Sequence, residues 1–159
     1  MKSSRPAVPS SYGLHPAPGG AGLLPWAWAE QRLAAARNYW ICSTREDGRP
    51  HAMPVWGIWL EGALVFSTAR TSRKARNLGG SPAAAVHLES GDEAVILEGR
   101  AVEVVDRRLL EAYRQAYEVK YAFRPDIDNP ADVTLMIRPE RAFGWTEAEY
   151  PGSATRWMP

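Results

Sequence analysis

The sequence predicts a mainly β domain with some helix, built as a barrel of antiparallel strands. Apolar and β-branched runs alternate with glycine-containing turns, a pattern typical of antiparallel sheets. The run from His51 to Leu60 is apolar on both faces, so we expect one face to meet a barrel interior and the other a partner surface. A length of 159 residues, 45% hydrophobic and 23% charged, suits one folded domain, which we assign to residues 23–159.

The chain begins with a predicted tail and a predicted helix. Residues 1–22 are rich in Ser, Pro, Gly and Ala and contain no hydrophobic run of the signal-peptide type, so we expect a disordered, mobile tail. From Leu23, apolar side chains recur at steps of three to four residues. This spacing predicts an amphipathic helix that has Pro25 in its first turn and ends near Asn38.

Three strands should follow as an antiparallel meander. The Asp47-Gly48 pair predicts a hairpin turn between the first two strands. Pro54 cannot donate a backbone hydrogen bond, which favours a sheet edge or a bulge at that point. The three predicted strands are Tyr39–Thr44, His51–Leu60 and Ala63–Thr68.

The second half of the chain predicts two helices and four strands. We expect Ser72 to cap a two-turn helix that ends at Gly79, and Asp106 to cap a helix from Arg107 to about Tyr121. One of the strands is long enough to bend, and Gly99 is the candidate position. The predicted strands are Ala83–Leu88, Ala94–Val105, Val133–Ile137 and Ala142–Thr146.

Charge is balanced over the whole chain but not locally. Nineteen basic and eighteen acidic residues give a net charge of +1, which offers no general case for a nucleic-acid or membrane-surface protein. No apolar run is long enough to cross a bilayer, and the single cysteine, Cys42, predicts a reducing, cytoplasmic compartment. Residues 62–88, however, contain four basic and no acidic residues, so this window carries +4 and the rest of the chain −3.

The basic window predicts a phosphate site at the start of its helix. A phosphate there would accept hydrogen bonds from the free backbone N–H groups and from Thr71 and Ser72, and would be attracted by the helix dipole. The alternative is a solvated basic turn whose charges pair with acids elsewhere. Gly79 and Gly80 follow the helix instead of opening it, so the segment is neither a P-loop nor a dinucleotide fingerprint. The cations, which would otherwise repel one another, are Arg70, Arg73, Lys74 and Arg76.

Several segments resemble the pyridoxamine 5'-phosphate oxidase-like proteins, the FMN-binding split β-barrel superfamily. The resemblance implies a six-stranded antiparallel Greek-key barrel with flanking helices. It also implies a homodimer with two cofactors in grooves between the subunits. The most specific segments are Phe66–Thr68 and Ser72–Leu78, and the others are Gly48–Trp56, Arg138–Trp145 and Ala154–Trp157.

The resemblance further implies which residues contact the cofactor. Those at its phosphate are Ser67, Thr68, Ser72, Arg73 and Lys74. Those along the isoalloxazine or ribityl part are Met53, Val55 and Trp56. Two tryptophans, Trp145 and Trp157, would close the site, with the second subunit as one source of this pair.

The chain departs from true pyridoxamine phosphate oxidases in ways that bear on its activity. It is short and lacks the C-terminal arginine and histidine pattern that holds pyridoxal phosphate, so we do not predict vitamin B6 oxidation. The cofactor stays open between FMN and the deazaflavin coenzyme F-420, whose longer anionic tail would suit the additional Arg70 and Arg76.

The expected function is that of a flavin- or deazaflavin-dependent oxidoreductase acting on a small organic substrate. No nucleophile–base pair and no metal-ligand spacing are present, which disfavours a hydrolase or a zinc enzyme. A flavin brings its own hydride chemistry, so no catalytic side chain is required and none is assigned. His51 is interpreted as a satisfied strand histidine, with hydrogen bonding or protonation of substrate as the alternative. A non-catalytic flavin- or haem-binding protein is the second hypothesis, and a nucleic-acid-binding barrel ranks lowest because the remaining surface is net acidic.

Overall fold

Nine antiparallel strands and four helices make up the computed structural model, which describes residues 1–159. No helix in it is both long and apolar enough to span a membrane. The strands are β1 Lys2–Ser4, β2 Tyr39–Thr44, β3 Pro50–Val55, β4 Ile58–Leu60, β5 Ala63–Ala69, β6 Ala83–His87, β7 Glu93–Glu103, β8 Asp132–Thr146 and β9 Thr155–Met158. The helices are α1 Trp26–Ala35, α2 Arg73–Gly80, α3 Arg107–Tyr121 and α4 Tyr150–Ser153.

The 15-residue strand β8 organises the sheet. It pairs with β7 along most of its length, while its first half also pairs with β5 and its second half with β9. The strand order is β1-β9-β8-β7-β6-β2-β3, with β5 paired to β8 and β4 paired to β5. Six strands of five or more residues, β2, β3 and β5 to β8, form the barrel, which confirms the predicted mainly β split-barrel fold.

Glycines mark two irregular positions in the strands. The β7–β8 register shifts between Glu98 and Gly99, which confirms the predicted bend. Pro139, which cannot donate a hydrogen bond to the ladder, lies opposite Gly99 at this irregularity. The strand continues through Pro139, and the two predicted strands Val133–Ile137 and Ala142–Thr146 are therefore parts of one strand, β8. By contrast, the predicted strand His51–Leu60 is divided into β3 and β4 at Gly57, where a Cβ atom would lie 2.8 Å from a Leu64 methyl group.

The core has two parts, one on each side of β5. Leu64 and Phe66 face the main core inside the barrel, which α1 covers, whereas Val65 faces a smaller core under α3. Ile58 of β4 also packs in this smaller core. The second apolar face that was expected to meet a partner is therefore covered, around Ile58, by the chain's own α3 helix.

The helix boundaries follow their caps. Ser72 Oγ accepts a hydrogen bond from the N–H of Ala75, and Asp106 Oδ1 accepts one from the N–H of Arg108, so both predicted N-caps are confirmed. Helix α2 runs one residue beyond the predicted end at Gly79, and α1 is shorter at both ends than predicted. Pro54 lies in β3, the last strand of the sheet order, as an edge strand requires.

The N-terminal segment differs from the expected disordered tail. Residues Lys2–Ser4 form β1, which pairs with β9 near the end of the chain. Arg5 adds three side-chain hydrogen bonds to the carbonyl oxygens of His15, Gly152 and Ala154. A segment rich in Ser, Pro, Gly and Ala is thus attached to the domain by strand pairing and by the hydrogen bonds of Arg5.

Candidate functional site

Hydrogen bonds at the start of α2 connect Thr68, Ser72 and Lys74 in one polar cluster. The Thr68 hydroxyl, near the end of β5, donates to Ser72 Oγ at 3.1 Å. The same Thr68 oxygen accepts a hydrogen bond from Lys74 Nζ at 3.1 Å. Three residues of the predicted phosphate contact are therefore together, beside the free N–H groups of the first helical turn.

Lys74 has no carboxylate partner in this cluster. Its side chain is half-buried, and burial lowers the pKa of its ammonium group. Its one hydrogen-bond partner is the neutral Thr68 hydroxyl. A buried cation without a counter-charge is costly to hold, so the position is suited to an incoming anion.

Two more cations of the basic window are also without carboxylate partners. Arg73 and Arg76 line a cavity of about 600 Å³ between α2 and the β2–β3 hairpin, where Arg45 contributes a third guanidinium group. Glu46 is the one acidic residue of the lining, and no hydrophobic side chain contributes to it. The cavity is therefore polar and net positive.

Arg70 is different from the other three cations. Its guanidinium group bonds to Glu103 at 2.5 Å on an exposed surface, and its backbone N–H donates to the Ala131 carbonyl. The alternative of internal pairing thus holds for Arg70, whose charge is balanced by Glu103 in the free protein. It does not hold for Arg73, Lys74 or Arg76, none of which forms an ion pair.

Helix α2 is attached to the hairpin by one buried hydrogen bond. Asn77 Nδ2 donates to Ser43 Oγ at 3.0 Å, and both residues are buried. Ser43 of β2 lies directly opposite His51 of β3. Opposed residues of an antiparallel pair project from the same face, so His51 lies on the face that α2 covers.

His51 is not the satisfied strand histidine that the sequence suggested. Its Nδ1 atom is buried and has no hydrogen-bond partner. Burial lowers the pKa of the imidazole, and the positive charges of Arg45, Lys74 and Arg73 lower it further. A ring nitrogen without a partner, among cations, is a position where an anion would be stabilised.

Of the three residues expected to contact the cofactor ring, two are exposed and one lies in the core. Met53 and Trp56 are exposed, with relative accessibilities of 46% and 40%, whereas the Val55 side chain packs in the main core. The Trp56 indole stacks on the Tyr121 ring, with centroids 4.7 Å apart and planes within 4°. Met53 and Trp56 thus keep accessible apolar surface, whereas the predicted contact of Val55 with the cofactor would be made by a residue at the edge of the main core.

Residues of α3 and the α1–β2 loop extend this aromatic surface, and the sequence analysis did not identify them. Tyr117 contacts both Tyr121 and Trp56, and Arg37 lies 5.3 Å from the Trp56 ring centroid. Lys120 Nζ donates to Tyr39 Oη and to the Gly57 carbonyl, both at 3.1 Å. The helical spacing of these tyrosines is equally typical of a core face, and their contact with Trp56 joins segments that are far apart in the chain.

The remaining predicted residues have specific structural partners. Ser67 Oγ shares a hydrogen bond with Thr134 Oγ1 of β8 at 2.8 Å. Trp145 is half-buried and its Nε1 donates to Glu147. Trp157 is completely buried between α1 and the sheet, and its Nε1 donates to the Leu24 carbonyl at 3.0 Å. Trp157 is therefore a core residue and not a residue that closes a ligand site.

Comparisons with known proteins fit this architecture. The profile of the family described as pyridoxamine 5'-phosphate oxidase matches residues 28–146. No curated protein matches the chain. Among solved structures, a conserved hypothetical protein from Mycobacterium tuberculosis is similar with a TM-score of 0.68 and 22% identity, over 77% of this chain and 85% of that one.

Two further solved structures carry functional descriptions. An F-420 reductase is similar with a TM-score of 0.59 and 22% identity, over 71% of this chain and 94% of that one. A heme binding protein from Mycobacterium smegmatis is similar with a TM-score of 0.62 and 22% identity, over 82% of this chain and 62% of that one. At these identities the similarity concerns the fold alone.

Proposed function

The chain belongs to the pyridoxamine 5'-phosphate oxidase family, and on that premise we propose that it is a flavin-dependent oxidoreductase. It binds FMN, with coenzyme F-420 as the alternative, through the cofactor phosphate at the start of α2. It transfers a hydride to or from a small organic molecule. Oxidation of pyridoxamine phosphate itself is not part of the proposal.

The main support for this proposal is the set of unpaired cations around the Ser72 cap. Arg73, Lys74 and Arg76 have no acidic partner, although the chain forms ten ion pairs between other residues, such as Arg70–Glu103. The unpartnered His51 Nδ1 lies on the same face. These groups fit a phosphate ester, because they supply positive charge and unused hydrogen-bonding capacity at one place.

The chain's own residues would bind and orient the cofactor. The exposed Met53 and Trp56 side chains offer an apolar surface to its ring, and the Trp56–Tyr121 stack fixes the orientation of that surface. A flavin supplies the hydride chemistry when bound, so the protein needs to position the ring and exclude water. We assign no proton-transferring side chain.

We also propose that the functional unit is a homodimer. Met53 lies on the edge strand β3 and, with Trp56 and Phe123, leaves large apolar side chains exposed. A second copy of the chain would cover such a surface and enclose a cofactor bound along it.

Cofactor titration tests the proposed function directly. Purified protein is titrated separately with FMN and with coenzyme F-420, and flavin or deazaflavin fluorescence reports binding. We expect micromolar or tighter affinity for one of the two. Absence of binding to both would refute the proposal.

A double substitution tests the assigned phosphate contact. Arg73→Ala with Lys74→Ala removes two unpaired cations, so we expect loss of cofactor binding with the fold retained, as seen by circular dichroism. Stability of the free protein should be unchanged or slightly higher, because repulsion between like charges is removed. Arg107→Ala with Arg108→Ala is the matched control, since it removes two cations from the first turn of α3. Equal cofactor affinity in the two double variants would place the phosphate elsewhere.

A non-catalytic flavin- or haem-binding protein is the second candidate. It is favoured by the lack of an evident acid–base group, and a similar fold occurs in a heme binding protein. The cofactor-loaded protein is mixed with a reductant and a panel of electron acceptors. Multiple turnovers support the oxidoreductase, whereas binding without turnover supports the carrier.

A further inference from the structure

We infer that His51 is a proton-linked ligand of the cofactor phosphate, so that the protein binds its phosphorylated cofactor more tightly at lower pH. This inference rests on the proposed function and adds to it a residue and a pH dependence. From the sequence, the alternative role of His51 was hydrogen bonding to substrate or its protonation, and not binding of the cofactor phosphate.

The contacts of α2 place His51 under the start of that helix. The buried Asn77–Ser43 hydrogen bond fixes α2 against β2, and Ser43 lies opposite His51. Arg73 precedes Asn77 by four residues, so both side chains project from the same helix face. The first turn of α2, which carries the unpaired Arg73 and Lys74, is therefore on the His51 side of the hairpin.

The charged groups around His51 are almost all positive. Arg45 of the hairpin and Arg73 and Lys74 of α2 all act on its ring as positive charges. Ser43 and Asn77, which face it from β2 and α2, are uncharged. The hairpin carboxylate Asp47 is already bonded to Arg49, with Arg49 Nε 2.9 Å from Asp47 Oδ2.

Glu46 is the remaining acidic group near these cations, and it lines the cavity with Arg45, Arg73 and Arg76. One carboxylate facing three guanidinium groups leaves the surroundings of His51 net positive. An imidazolium there would add a further positive charge, which agrees with the lowered pKa of the free ring. The ring is therefore neutral at pH 7 in the absence of an anion.

A bound phosphate would favour the protonated form of His51. Its negative charge offsets the neighbouring cations, and its oxygens offer the acceptor that a protonated Nδ1–H lacks in the free protein. One proton passes from solvent to the imidazole as the phosphate binds, and no covalent bond changes. Because the pKa of His51 is then higher in the complex than in the free protein, affinity is greatest below the free value and declines as pH rises through the bound value.

The test is a pH series of FMN dissociation constants at constant ionic strength, between pH 6.5 and 8.5. Coenzyme F-420 replaces FMN if only the deazaflavin binds. The phosphate ester is largely a dianion over this range, because its second pKa is about 6. We expect affinity to weaken by about tenfold across the series, the change that one pKa unit of linkage produces. Riboflavin, which has the ring but no phosphate, should show no such trend.

Two variants separate proton linkage from a structural role. His51→Arg keeps a positive charge at every pH of the series, so it should bind FMN with a flat profile close to the wild-type affinity at pH 6.5. His51→Gln keeps a polar side chain without the charge, so it should give a flat profile close to the wild-type affinity at pH 8.5. Urea unfolding of both variants checks that the hairpin is intact.

The outcomes distinguish this inference from the proposed function. A pH-independent wild-type affinity, an equal trend for riboflavin, or an unchanged slope in His51→Gln would overturn the role of His51 while leaving the cofactor assignment in place. Failure of the wild-type protein to bind either cofactor would overturn both.

Discussion

The half-buried cation of Lys120 makes the stability of the folded protein depend on pH. Its ammonium group bridges Tyr39 Oη and the Gly57 carbonyl, where no carboxylate is present to balance it. Burial lowers its pKa to about 8. The folded protein therefore releases this proton near pH 8, whereas the unfolded chain retains it to about pH 10.4.

This difference in pKa predicts that the cost of burying the charged Lys120 decreases as the pH rises above 8. Between pH 8 and about 9.5 the unfolded state binds more protons at this residue than the folded state, so the free energy of unfolding should rise with pH. We expect wild-type protein to gain stability relative to Lys120→Met across that window, measured by urea unfolding at several pH values. Lys2→Met, which removes an exposed lysine of β1, controls for net charge. Parallel pH profiles for wild type and Lys120→Met would contradict the prediction.

Individual residues also show where sequence reasoning stops. The relation of Ser72, Arg73 and Lys74 to a helix start is local, and it was readable from spacing alone. The environment of His51 depends on the Asn77–Ser43 contact between segments far apart in the chain, which no local pattern reveals. Trp157 was assigned to a ligand site by the family resemblance, yet it packs against Trp26 and Trp28 of α1 in the core.

At the level of elements, α2 serves both stability and binding through one residue. Ser72 caps the helix and also lies where the phosphate is proposed to bind. An aspartate is an equally good N-cap, and its charge is favourable at a helix N-terminus, but it would repel a phosphate. The two roles can therefore be separated by choosing the substitution.

We predict opposite effects for two Ser72 variants. Ser72→Asp should keep the free energy of unfolding within about 0.5 kcal/mol of wild type, because the cap is retained, yet lose cofactor binding. Ser72→Ala should lose about 1 kcal/mol of stability through the missing cap, with a smaller loss of affinity. Urea unfolding and cofactor titration on the same preparations measure both quantities. Tighter cofactor binding by Ser72→Asp than by Ser72→Ala would remove the phosphate from this helix start.

The bend in β7 was predictable because a glycine within the strand pattern marks it, although the contact that requires this glycine comes from another strand. Gly99 interrupts a long β pattern, and its bulge follows from backbone contact with Arg138, whose carbonyl oxygen would lie 2.3 Å from an added Cβ. The break at Gly57 has a tertiary cause, since its N–H donates to the Tyr121 hydroxyl of α3. The pairing of β1 with β9 likewise joins segments near the two ends of the chain, and the polar residues Lys2–Ser4 show no strand pattern that would predict it.

At the scale of the whole molecule, several large apolar side chains are exposed, and three of them, Met53, Trp56 and Phe123, bear on the proposed ring site. Helix α3 covers the outer face of β4 and β5, but Met53, Trp56 and Phe123 remain exposed. A dimer formed through these side chains would make assembly and cofactor binding interdependent. A second copy of the chain would shield these side chains and complete the enclosure of the ligand.

This arrangement predicts that Met53→Glu separates the dimer. The substitution would bury an unpaired carboxylate in the apolar contact, which costs several kcal/mol. We expect sedimentation velocity to show a dimer for wild type and a monomer for Met53→Glu, with cofactor affinity reduced in the monomer. Val105→Glu is the matched control, because Val105 is an exposed apolar residue in the loop before α3, with a relative accessibility of 83%. A wild-type monomer, or a Met53→Glu protein that stays dimeric at the same concentration, would show that this surface does not hold two chains together.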